Sequence, residues 1–145
     1  MKIDVVSDIS INAPLEYVAG YASNPENASE WYVNIKSAEF LTTKPIDIGS
    51  QVAFRAKFLG RQLEYVYEVV EWQPLEKLVM ITANGPFPMQ TTYTWEKIGS
   101  GKTKMFLRNT GEPSGFSKFV APFMAFAIKR ANKKDLEQLK KILEK

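Results

Sequence analysis

What most constrains the fold of this chain is a change of period. From Ile35 to Asn109 apolar residues recur at every second position, and from Phe116 onward they recur at helical spacing. Val52, Phe54, Ala56 and Phe58 alternate with Gln51, Arg55 and Lys57; Leu59-Gly60-Arg61 turns, and Leu63, Tyr65, Tyr67 and Val69 return. Gln73-Pro74 breaks that run, Leu78 to Ala83 forms the next, and Met89, Thr91, Tyr93 and Trp95 alternate up to a Gly99-Ser100-Gly101 turn. Thr103, Met105, Leu107 and Asn109 follow. This pattern predicts six consecutive strands with hairpin connections, a meander with an aromatic inner row. In the last stretch Phe116, Val120, Phe123, Met124, Ala127, Ala131, Leu136, Leu139 and Leu143 follow one helical stripe, which predicts a single long terminal helix. Pro122 falls in its first portion, so the helix is expected to begin near Pro122 or to kink there.

Upstream, Ile3, Val5, Ser7, Ile9 and Ile11 alternate with Lys2, Asp4, Asp8 and Ser10 and read as a first, half-buried strand. Asn12-Ala13-Pro14 offers a cap and an early proline for a short helix through Leu15, Val18 and Ala19. A second short helix follows at once, opened either by Ser23 and Glu26 at capping-box spacing or by Asn24-Pro25. Trp31 and Tyr32 end this unit and are expected to pack it onto the rest of the fold. At 145 residues and 45% apolar composition, with no linker or repeat, the chain reads as one domain over 1–145 with one core.

Cysteine and histidine are both absent. Disulfides, thiolate metal sites, zinc catalysis and Ser-His-Asp hydrolysis are thereby excluded, and no carboxylate cluster has the spacing of a hard-cation loop. No metal or other cofactor is expected, and any activity should survive chelation. Unperturbed side chains other than His ionise outside pH 6–8, so a group titrating there would have to be a carboxylate, lysine or tyrosine strongly shifted by burial, and ligand affinity is expected instead to be nearly flat across that range. The N-terminus Met1-Lys2-Ile3-Asp4 does not read as a signal peptide and no run approaches the length of a membrane span, so a cytoplasmic location is expected. The net charge of +3 is compatible with transient contact with anionic surfaces, whereas no aromatic-basic interleaving points to nucleic acid. Oligomeric state is left open.

Several short segments in this order and spacing carry a family resemblance: Ile11-Asn12-Ala13-Pro14, Asn24-Pro25-Glu26-Asn27 with Trp31, Ile48-Gly49-Ser50, Gly60-Arg61, Val69-Val70-Glu71 with Pro74, Gly101-Lys102-Thr103, and Asp135 to Lys140. Over its whole length the chain resembles the START/Bet v 1-like (SRPBCC) superfamily, in its bacterial polyketide cyclase/dehydrase and lipid-transport branch. The resemblance implies an α+β helix-grip fold, a seven-stranded curved antiparallel sheet with two short helices after strand one, wrapped around a long C-terminal helix. It also implies a small hydrophobic or lipid-like ligand, bound and carried in a cavity between sheet and helix. Two other functions are open under it: a cofactor-independent cyclase or dehydratase acting on a polyketide-like or aromatic substrate, and an interaction protein resembling the Hsp90-ATPase activator relatives.

On that fold, the expected cavity wall is Phe54, Phe58, Tyr65, Tyr67, Met89, Thr91, Tyr93, Met105, Leu107 and Asn109 of the sheet, facing Phe119, Phe123, Met124 and Ala127 of the helix. Phe87, held between two prolines in the Asn84 to Pro88 loop, is expected to cover the cavity beside Phe123. A filled aromatic core is the alternative reading of the same row. Tyr65, Tyr67 and Tyr93 are the candidate catalytic acids, since a buried phenol needs a partner and can donate a proton; structural hydrogen bonding is the stronger reading of them, because no positioned base stands out. Glu64 and Glu68 fall on the face opposite the tyrosines and Glu71 on the same face by parity, and solvent-facing strand positions account for all three. Lys129, Arg130, Lys133, Lys134, Lys140 and Lys141, interrupted by Asp135, Glu137 and Glu144, read as a solvated helix face that can also meet anionic headgroups.

Overall fold

In a computed structural model of the chain, residues 3–58, 60–84, 88–112 and 120–145 are described. The alternating segments form β1 (Ile3–Ile11), β2 (Ile35–Phe40), β3 (Gln51–Phe58), β4 (Arg61–Gln73), β5 (Lys77–Asn84), β6 (Met89–Gly99) and β7 (Lys102–Gly111). Between β1 and β2 lie α1 (Leu15–Ser23), a 3₁₀ turn at Pro25–Asn27 and α2 (Ala28–Trp31); α3 (Val120–Leu143) follows β7. All seven strands pair antiparallel in one sheet, in the order β1-β7-β6-β5-β4-β3-β2. The meander from β2 to β7 is sequential, and β1 closes it by pairing with β7 from Ile3↔Gly111 to Ile11↔Thr103. α1 and α2 therefore carry the chain from one sheet edge to the other, and the curved sheet wraps α3 in the helix-grip arrangement.

Local chemistry explains the turns and caps. Gly60 and Gly101 sit at φ +77° and +65° between β3 and β4 and between β6 and β7, a left-handed geometry that residues with a Cβ adopt at a cost. Asn24 caps the turn after α1, its Oδ1 accepting from the Glu26 N–H at 3.1 Å; Ser23 lies inside α1 and bonds the Gly20 carbonyl instead. The residue before α1 is Pro14, which has no side-chain cap, and Asn12 donates its N–H to Glu144 at 2.7 Å rather than capping α1.

The period-two pattern survives along β1, β3 and β7, where Val52, Phe54 and Ala56 are buried between exposed Arg55 and Lys57. It breaks in β4. The register shifts between Val69 and Glu71, so Val69 pairs with Met80 and Glu71 with Val79. After such a bulge every side chain changes face. Trp72 packs on the core, while Glu71 lies outside it, accepting from Gln73 at 2.7 Å and 3.6 Å from Lys77. The parity that put Glu71 with the tyrosines is thus off by one residue. Glu64 lies outside against Arg55 and Glu68 accepts from Gln51.

Helix α3 buries the row Met124, Ile128, Asn132, Asp135, Leu139 and Leu143, steps of three and four residues on one face. Met124 and Ile128 pack against Ile3 and Val5, whereas Leu136, Leu139 and Leu143 join the main core with Ile11, Val18, Trp31 and Leu107. Its C-terminal end is pinned to β1, with Lys140 Nζ donating to the Ser10 carbonyl at 2.9 Å. Phe123, expected on the inner stripe, is 59% exposed because the buried row runs through Met124, one residue and about 100° further round the helix. Pro122 lies in the first turn of α3 as described. Among the described residues no helix is long and apolar enough to cross a membrane.

Candidate functional site

A cavity of about 150 Å³ lies between α3 and the middle of the sheet. Its position follows from side-chain size along α3. At Leu136, Leu139 and Leu143 the helix fills the space against the sheet, but at Ala131, Asn132 and Asp135 the inner face carries short side chains. Opposite them the sheet presents Phe54, Ala56 and Phe58 from β3, Leu63, Tyr65 and Tyr67 from β4, Met80 and Thr82 from β5, Met89, Thr91 and Tyr93 from β6, and Asn109 from β7. Tyr32, Asn34 and Ile35, at the junction of α2 and β2, close one side. The aromatic row is mutually packed: Phe54 stacks on Tyr65 at 5.4 Å between ring centroids and meets Tyr67 edge-on at 5.7 Å.

Of the expected wall, Phe54, Phe58, Tyr65, Tyr67, Met89, Thr91, Tyr93 and Asn109 are together around this cavity. Met105 and Leu107 are not; both are fully buried in the main core, where the leucines of α3 leave no space. Met124 packs with Ile3 and Val5 of β1 and does not line the cavity, in a cluster that borders it through Phe58, Met89 and Ile128. Ala127 and Phe123 line a neighbouring groove, of about 320 Å³, between α3 and Val33, Asn34 and Phe58. Phe87 and Phe119 lie outside the described residues, and with them the expectation of a covering loop.

Polar groups at the wall fall into two sets. In the first, Thr91 Oγ1 donates to Asn109 Oδ1 at 2.7 Å, so the Tyr67 hydroxyl donates to Thr91 at 2.9 Å, a chain that satisfies itself. The second set is open. Tyr32 and Tyr93 share a 2.5 Å hydroxyl–hydroxyl bond, the Tyr65 hydroxyl bonds no described residue, and Asn132 Nδ2 is buried without a partner. Beside them stands Asp135, 2% exposed. One of its oxygens accepts from the Val33 N–H at 2.8 Å, tying α3 to the segment before β2, and no described cation pairs with it.

Burial sets the protonation of this set. Loss of hydration pushes the Asp135 carboxyl up to about 7, with the Val33 bond opposing only in part. The same loss raises Tyr32, Tyr65, Tyr67 and Tyr93, and the charge of Asp135 adds to the rise at Tyr32, Tyr65 and Tyr93. The phenols are therefore proton-bearing donors at neutral pH, and Asp135 is the group that can exchange its proton there. Asp135 is thus a strongly shifted carboxylate of the kind that a group titrating between pH 6 and 8 in this chain has to be, since no unperturbed side chain here occupies that window.

Asp135 is the residue that the mixed-charge reading of α3 missed. Flanked in sequence by Lys133, Lys134 and Glu137, it resembles a solvated position. The available signal was its spacing, four residues after Ala131 and four before Leu139, on the apolar stripe rather than between stripes. Among the described residues no group of three or more acidic side chains is arranged to hold a metal ion.

Comparison with known proteins places this geometry. A family model described as polyketide cyclase/dehydrase and lipid transport matches residues 2–144. No curated protein sequence matches the chain. Similar solved structures include the Zhui aromatase/cyclase from Streptomyces sp. R1128, with TM-score 0.84 and 11% identity over 99% of this chain and 94% of that one. A START superfamily protein from Mycobacterium smegmatis has TM-score 0.84 and 14% identity, covering 98% and 97%. The ginseng major latex-like protein 151 from Panax ginseng has TM-score 0.76 and 9% identity, covering 98% and 97%. At these identities the likeness carries the fold.

Proposed function

The chain belongs to the polyketide cyclase/dehydrase and lipid-transport family, within the START-like SRPBCC superfamily, and we propose that it is a cofactor-independent cyclase or dehydratase acting on a small, enolisable aromatic or polyketide-like carbonyl compound. One observation carries this reading: a buried carboxyl without a described cationic partner, Asp135, shares an apolar cavity with protonated phenols and the orphan amide donor of Asn132. An acid–base catalyst needs a base that changes protonation near the working pH and donors aimed at the oxygen where charge develops.

The chemistry follows from those groups. The substrate carbonyl oxygen accepts from Asn132 Nδ2 and the free Tyr65 hydroxyl, which lowers the cost of an enolate. Asp135, as carboxylate, takes the α-proton; the enolate carbon then attacks a second carbonyl of the same molecule, and the new alkoxide, hydrogen-bonded by the phenols, takes that proton back from Asp135, which restores the carboxylate. For dehydration, Asp135 takes the second α-proton and delivers it to the departing hydroxyl, so that the double bond forms, water leaves and the carboxylate is restored again. The cavity of about 150 Å³ bounds the reacting part to about one ring, since an apolar cavity of about that volume takes up benzene.

Deuterium exchange tests the proposal at its first step. Incubating 1-phenylbutane-1,3-dione with the protein in D₂O and following its α-protons by NMR should show exchange faster than buffer, rising as pH passes through about 7. Asp135→Asn should retain binding of the diketone and lose the acceleration. A second reading, carriage of the ligand without turnover, is favoured by the Val33 tie, which gives Asp135 a structural role of its own. Tight binding with no acceleration in the unaltered protein would select it.

A further inference from the structure

The cavity does not end at its aromatic wall. Asn34, Phe58 and Ala131 line both it and the neighbouring groove of about 320 Å³, so the two spaces share one partition. Along α3 the groove is bordered by Phe123, Phe126, Arg130 and Lys134, again in steps of three and four residues, on a face beside the buried row. One feature of that face is out of place on an ordinary solvated helix, and a second makes it complementary to an anion. Phe123 and Phe126 are 59% and 66% exposed next to one another, an apolar patch held open to solvent. Arg130 and Lys134 form no ion pair with any described residue, and the residues outside the description contain neither Asp nor Glu. No carboxylate lines the groove, whereas Lys140, further along the same helix, is held by Glu144 and the Ser10 carbonyl.

We infer that the groove is the outer half of the ligand site and that it takes the anionic end of a small soluble amphiphile, a carboxylate or phosphate joined by a short chain to the ring held in the cavity. Aromatic walls at Phe123, Phe126 and Phe58 cover the chain, and the guanidinium and ammonium one helical turn apart receive the anion, which charge complementarity favours and no internal carboxylate contests. This rests on the proposed function only in that the inner cavity accepts a ring; it holds for a catalyst or a carrier alike. It also divides the labour of recognition, with the interior selecting shape and carbonyl position and the rim selecting charge.

Phenylalkanoates of increasing chain length, each paired with its neutral primary amide, test the inference by titration calorimetry. Once the chain is long enough to cross the partition, the acid should bind about tenfold or more tightly than its amide at low salt, the scale of a charge-assisted contact. That preference should collapse in the Arg130→Gln/Lys134→Gln variant and in high salt, with amide binding and thermal midpoint unchanged. Equal binding of acid and amide at every length would overturn the inference and leave the cavity reading intact; failure of both to bind would remove the two together. Sedimentation with phosphatidylglycerol and with phosphatidylcholine vesicles separates the sources of the anion. Vesicle binding that needs Arg130 and Lys134, without any acid-over-amide preference, would assign the rim to a membrane surface and overturn the soluble ligand.

Discussion

Replacing Asp135 with Asn should stabilise the fold at pH 8 and change it little at pH 4. The carboxyl is raised by burial from its ordinary 3.8 to about 7, so between those values the native state holds a proton that the unfolded chain releases. Stability must then fall as pH rises from about 4, and the whole penalty is present once pH exceeds about 7. At 1.36 kcal/mol for each pH unit, the rise corresponds to about 4 kcal/mol, a large share of the 5 to 15 kcal/mol that holds a domain of this kind together. Asn keeps an oxygen for the Val33 N–H, and its amide donor replaces the hydroxyl donor of the protonated acid, so the uncharged states compare nearly like for like. Urea unfolding followed by the fluorescence of Trp31, Trp72 and Trp95, at steps from pH 4.5 to 8.5, reads the difference directly. The gap between variant and parent should grow from about 1 kcal/mol at pH 4.5 to as much as about 4 kcal/mol, with its midpoint between pH 5 and 7. A gap that is the same at every pH would mean that Asp135 is hydrated and unperturbed, and the acid–base reading of the cavity would go with it. Loss of exchange activity in the more stable variant is the expected counterpart, since a destabilised buried group is retained where function requires it.

Tyr32→Phe or Tyr93→Phe alone should cost about 1 to 3 kcal/mol by stranding the other hydroxyl, while the double variant should cost less than the sum of the two; additive losses in a double-mutant cycle would mean that the 2.5 Å bond contributes nothing. Asn132→Leu should fill the space beside Ala131 and abolish benzene uptake measured by NMR, with stability equal to or above the parent because a partnerless amide is removed; undiminished uptake would place the cavity elsewhere. Ala127→Phe, at the groove rather than in the core, should change stability by no more than about 0.5 kcal/mol in thermal unfolding, where a core site would lose several times that. Glu71→Gln should leave diketone exchange rates unchanged, because the β4 bulge turns this side chain away from the tyrosines.

Much of this molecule is legible without coordinates, because period and turn chemistry are local properties. The alternation Val52, Phe54, Ala56, Phe58 can bury one face only as a strand, Gly60 and Gly101 turn hairpins by lacking a Cβ, and the stripe from Met124 to Leu143 can bury one face only as a helix. The absence of His and Cys likewise removes whole reaction classes from the residue inventory alone. What only the tertiary structure decided depends on how faces meet. One bulge in β4 turned Glu71 outward, which no count of residues along the strand reveals, since the extra residue is accommodated by pairing with β5. The leucines of α3 closed the space over Met105 and Leu107, while Ala131, Asn132 and Asp135 left it open over Tyr65 and Tyr93. Above all, the chemistry of Asp135 is not a property of aspartate or of its charged neighbours in sequence. It arises because the sheet and the Val33 segment exclude water from it, and hydration, which sets the pKa, is known only once the surfaces around a residue are in place.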